Sequence, residues 1–65
     1  MIEFKVPSVS KAEAWCMKHI GPRLYYIHDR MGGEGWRIMR RQGEVLLCLE
    51  DDRQATMAAL TLSGQ

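Results

Sequence analysis

Four side chains in this 65-residue chain offer the sulfur or imidazole donors that structural zinc sites favour: Cys16, His19, His28 and Cys48. Only Cys16 and His19 are local to one another, and neither half forms the knuckle that structural zinc sites use. Buried free cysteines and a packed histidine are the ordinary explanation of such a set, so no metal and no cofactor are expected. A cysteine nucleophile would need a thiol of lowered pKa beside His19 or His28, and nothing in the sequence points to one. His28 and Asp29 are neighbours, and in a strand they face opposite ways, so they form no relay. With no complete catalytic motif, the chain is not expected to be an enzyme.

Arginine and glycine carry a stronger signal. Residues 22–41 hold Arg23, Arg30, Arg37, Arg40 and Arg41 against Asp29 and Glu34, a local excess of +3 in a chain whose net charge is +1. Lysine is confined to residues 5–18, so the basic block uses only the planar, bidentate cation suited to phosphate or carboxylate. Inside it lies Met31-Gly32-Gly33-Glu34-Gly35-Trp36, bracketed by Arg30 and Arg37. Glycines at 32, 33 and 35 could form a nest of backbone N–H groups that holds an anion. No Lys-Ser/Thr pair follows and the segment opens into a strand, so it is neither a P-loop nor a dinucleotide fingerprint; a flexible hairpin loop is the plainer reading.

Tyr25, Tyr26, His28 and Trp36 interleave with these arginines, a composition used where bases stack on aromatics and arginines hold phosphates. No RNP-like string accompanies them, and arginine and tyrosine are equally favoured in protein–protein interfaces. The candidate partner- or anion-binding residues are therefore Tyr25, His28, Arg30, Gly32, Gly33, Gly35, Trp36, Arg37, Arg40 and Arg41. A protein partner is preferred, with nucleic acid or a phosphorylated nucleotide as the alternative.

These residues need a scaffold, and the hydrophobic periodicity supplies one. Ile2, Phe4 and Val6 alternate with Glu3 and Lys5 in a half-buried strand ended by Pro7. Ser10 and Glu13 have capping-box spacing, and Ala12, Trp15, Cys16, His19 and Ile20 form a helical stripe stopped by Gly21-Pro22. From Leu24 the period becomes two, with Leu24, Tyr26 and His28 on one face and Tyr25, Ile27 and Asp29 on the other. Trp36, Ile38 and Arg40 alternate with Arg37, Met39 and Arg41, and Gln42-Gly43 turns into an apolar strand over Val45–Leu49. Asp51 or Asp52 caps a second helix with Ala55, Ala58, Ala59 and Leu62 inward, although Leu60 to Ser63 reads equally as a last strand. The resulting order, β-α-β-β-β-α with an optional final β, predicts one α+β domain over 1–65: a small antiparallel sheet backed by a main helix and a short second one, on a ferredoxin-like (split β-α-β) plan.

An apolar share of 46% and a charged share of 26% are ordinary globular values that argue against disorder. So short a chain carries a small core of marginal stability, and apolar residues on both faces of Leu24–Ile27 and Val45–Leu49 predict a homo-oligomer. No run resembles a signal peptide or approaches the length of a membrane span, and two lone cysteines suit a reduced compartment, so a cytoplasmic location without membrane contact is expected.

Three segments, Gly21-Pro22-Arg23-Leu24-Tyr25-Tyr26, Gly32-Gly33-Glu34-Gly35-Trp36 and the run from Asp52 to Leu60 through Ala55-Thr56-Met57, resemble small phage-encoded proteins of ferredoxin-like type. Thr61-Leu62-Ser63 stands where those proteins finish with basic and aromatic residues. The resemblance implies an accessory or anti-defence protein that acts in the host cytoplasm by binding and inhibiting a host protein. It assigns no site residue.

Overall fold

The computed structural model describes residues 2–62 and is an α+β arrangement in two layers. Its strands are β1 (Ile2–Val6), β2 (Tyr25–Ile27), β3 (Arg30–Gly33), β4 (Trp36–Arg41) and β5 (Glu44–Leu49), with helices α1 (Val9–His19) and α2 (Asp52–Leu62). β2 to β5 form an antiparallel meander, and β1 joins its far end, giving the order β1-β5-β4-β3-β2. The expected ferredoxin-like order is not confirmed. β1 and β2, which α1 connects, run in the same direction but have three strands between them, because β2 to β5 stay consecutive as a meander, to which the glycine segment contributes β3, and β1 pairs with the last of them.

Both helices pack on one face of the sheet. Ala12, Trp15 and Cys16 of α1 and Ala55, Ala58 and Leu62 of α2 bury against Val6, Met31, Trp36, Ile38, Leu47 and Leu49. The stripe read from α1 is correct at its centre and frays at its end: Trp15 is buried, Ile20 is half-buried, and His19 is exposed with its ring tilted against that of Trp15, centroids 4.7 Å apart.

The α1 cap is Ser8, not Ser10. Ser8 Oγ accepts from Lys11 N at 3.3 Å, and Lys11 then occupies the position a capping-box glutamate would need. Glu13 instead accepts from Arg23 at 2.8 Å, tying the helix to the loop before β2. Asp51 caps α2, its Oδ1 accepting from Arg53 N at 2.8 Å and Gln54 N at 3.1 Å. The helix runs to Leu62, so Leu60 to Leu62 is not a strand; Ser63 lies outside the described residues.

The Gln42-Gly43 hairpin forms as the sequence predicts, with both residues at positive φ (51 and 81) in a type I′ turn whose twist matches the strands. The β2–β3 turn is unusual. His28 takes φ 48 there without being glycine, a conformation that histidine tolerates better than most residues but still uncommonly.

Candidate functional site

Residues directly paired across antiparallel strands share a face, so the registers define the surface opposite the helices. One row runs Glu3, Cys48, Arg37, Gly32, Tyr25; the next runs Lys5, Leu46, Met39, Arg30, Ile27; Arg41 and Glu44 pair beyond them. No helix covers this face among the described residues. Arg30, Arg37 and Arg41 therefore stand together on adjacent strands, mixed with Ile27, Met39 and Leu46.

This arrangement divides the residues singled out from the sequence. Tyr25, Arg30, Arg37 and Arg41 share the helix-free face, and His28 and Asp29 border it at the β2–β3 turn. Arg40 pairs with Val45 on the other side of the sheet, where it lines a small hollow with Val9, Tyr26 and Ile38. Trp36 is a core residue, 3% exposed, and its Nε1 donates to Gly21 O at 3.2 Å. Arg23 also lies on the helix side, 5.2 Å from the centre of the Tyr26 ring.

The glycines do not form a nest. Gly32 pairs with both Tyr25 and Arg37, and Gly33 with Trp36, so their backbone groups are directed into ladders. Only Gly35 adopts a positive φ (87) in the turn. Gly32 and Gly33 are needed for close approach. A Cβ at Gly33 would collide with the Pro22 carbonyl, and one at Gly32 would stand 2.6 Å from Trp36 O and 2.9 Å from the Tyr25 hydroxyl. The missing side chain at Gly32 leaves room for Tyr25 to lie across the sheet. Beside it, a shallow hollow of about 670 Å³ is lined by Tyr25, Ile27, His28, Asp29, Arg30 and Arg37.

The electrostatics of this face are unbalanced. Lys5 and Glu44 form an exposed pair at 3.1 Å, whereas Arg30, Arg37 and Arg41 enter no ion pair among the described residues. Cys48 is buried between Glu3 and Arg37 in its row and donates to Glu3 Oε2 at 3.3 Å. Burial first, and then the hydrogen bond and negative charge of Glu3, raise its pKa to about 11; Arg37 and Arg41 oppose the shift without reversing it. Cys16 is pushed up to about 12 by burial. Neither thiol has the lowered pKa of a nucleophile. The two cysteines lie on opposite sides of the sheet, and no cluster of three or more metal-ligating side chains occurs among the described residues.

Ile27, Met39 and Leu46 were not singled out by sequence, although the alternation Arg37, Met39, Arg41 already put one of them beside the arginines. Comparison of the chain with protein-family models, curated proteins and solved structures gives no match. No helix among the described residues is long and apolar enough to cross a membrane.

Proposed function

We propose that the chain is a small binding module whose working surface is the helix-free face of the sheet and whose partner is an acidic patch on another protein. One observation carries this reading: Arg30, Arg37 and Arg41 share that face without an intramolecular ion pair among the described residues, beside the apolar pair Met39 and Leu46, with Ile27 beyond Arg30 on the edge strand. Arginine, tyrosine and methionine around an apolar centre are what protein interfaces enrich, and the guanidinium fork matches carboxylates in pairs.

A nucleic-acid platform needs several aromatics on one surface for bases to stack on. Here Tyr25 alone is on the arginine face, Tyr26 is on the other, and Trp36 is in the core. The resemblance of three segments to phage-encoded accessory proteins supports reading the partner as a host protein, inhibited by occupancy of its surface. Phosphate or nucleotide recognition is the second reading, and the hollow beside Arg30 and Arg37 favours it.

Affinity capture from nuclease-treated host lysate tests the proposal. The wild-type chain should retain one dominant protein, and a chain carrying Arg30→Ala, Arg37→Ala and Arg41→Ala should lose it. Equal retention by both would contradict the reading, as would micromolar, salt-sensitive oligonucleotide binding that the triple substitution abolishes.

A further inference from the structure

The sheet has two open edges, and the longer is β1, five residues against three in β2. Which backbone groups β1 leaves unpaired follows from the phase of the ladder. The two-residue turn makes Arg41 and Glu44 a hydrogen-bonded pair, and Glu50 N donates to Gly35 O at 3.3 Å in the same phase. Bonded and non-bonded pairs alternate along antiparallel strands, so Leu46 and Cys48 bond to β4, while Val45, Leu47 and Leu49 bond to β1. Their partners Val6, Phe4 and Ile2 are thereby used. The N–H and C=O groups of Glu3 and Lys5 point outward.

We propose that β1 pairs with β1 of a second copy, antiparallel, about a twofold axis at Phe4. In that register Glu3 faces the second copy's Lys5, and Lys5 faces the second copy's Glu3. Both contacts are hydrogen-bonded pairs, so the outward groups of the two residues are satisfied together. A lysine on an edge strand ordinarily discourages pairing; here the glutamate two residues away answers it. Phe4 meets its own copy on the helix side. There a groove of about 310 Å³ between β1 and α2, lined by Ile2, Phe4, Ala59 and Leu60, opens at the edge and leaves Leu60 76% exposed.

The axis is perpendicular to the sheet, so the helix-free faces of both copies lie on one side. Two clusters of Arg30, Arg37 and Arg41 then share a continuous surface. The pairing itself rests on β1 alone and stands or falls independently of the partner proposed for that surface.

Light scattering across a concentration series tests the inference. The wild-type chain should reach twice its monomer mass of 7.5 kDa. Lys5→Glu and Glu3→Lys should each weaken the dimer by about tenfold or more, since each sets like charges opposite one another at two symmetric positions. The double exchange should restore it. Lys5→Pro removes an outward N–H that β5 does not use, so it should give a monomer with an unchanged circular-dichroism spectrum. A wild-type chain that stays monomeric up to its solubility limit would overturn the proposal. So would a dimer indifferent to Lys5→Pro, or a double exchange that fails to recover.

Discussion

The Tyr25 hydroxyl stands 2.9 Å from where a side-chain carbon on Gly32 would be, directly across the β2–β3 ladder. Glycine ordinarily weakens a strand because it has nothing to pack. Here the tyrosine of the neighbouring strand covers the gap, and the pair forms one wall of the arginine face. The glycine segment is thus a place where backbone and side chains come unusually close.

Alanine in this segment should be destabilising by overpacking. At Gly32 the new Cβ meets the Trp36 carbonyl as well as Tyr25, so the tyrosine cannot relieve it by moving. Gly32→Ala should lower stability by about 1–3 kcal/mol, and Gly33→Ala by at least as much, since it strikes the Pro22 carbonyl. Urea denaturation checks both; midpoints equal to that of the parent would show that β3 is not packed this way.

Trp15 and Trp36 hold opposite sides of the same core, 9% and 3% exposed. Replacing either with alanine should cost about 3–5 kcal/mol, enough to unfold so small a domain. Trp36→Phe keeps much of the packing but loses the bond to Gly21 O, which is worth roughly 0.5–1.5 kcal/mol. Thermal melts should rank the parent above Trp36→Phe, with both alanine variants unfolded.

Much of this architecture was legible from periodicity and turn chemistry. Ile2, Phe4 and Val6, the α1 stripe, the Gln42-Gly43 turn and the Asp51 cap report local preferences that the fold keeps. β3 was not legible, because Gly32 and Gly33 have low strand propensity and their strand geometry comes from contacts with Pro22, Tyr25 and Trp36, remote in sequence or across a turn. Ser8 and Ser10 are both plausible caps by residue type, and only the path of the chain after Pro7 distinguishes them. Alternation placed Arg37 with Arg41 and apart from Arg40, but which side the helices cover depends on packing. That choice turned Trp36 from a candidate contact into core.

The left-handed conformation at His28 gives a further expectation. A side chain there adds roughly 1 kcal/mol of strain, which glycine avoids. His28→Gly should therefore leave the domain as stable as the parent or more so, read by denaturant midpoint. A loss of more than about 1 kcal/mol would mean that the imidazole makes a stabilising contact that offsets the strain.

The thiols set a dependence on alkaline pH. Below the ordinary thiol value of 9.0 both cysteines are protonated, folded or unfolded, and add no slope. Above it the unfolded chain releases protons that the folded chain keeps up to about 11 for Cys48 and about 12 for Cys16. The unfolded state then binds fewer protons, so stability falls as pH rises. Replacing both cysteines with alanine should flatten that fall relative to the parent in urea titrations between pH 9 and pH 11. Identical slopes would show the thiols to be solvated.

The claim that the helix-free face binds a protein is tested most directly by crosslinking from its centre. A photoreactive residue in place of Met39, amid Arg30 and Leu46, reports on that face; one in place of the exposed Met57 reports on α2. In cells expressing the chain, the position-39 probe should give a discrete adduct that resists nuclease, is digested by protease and disappears when Arg37→Ala is added. The position-57 probe should not give that adduct. A nuclease-sensitive adduct from position 39, or a protein adduct from position 57 alone, would contradict the account.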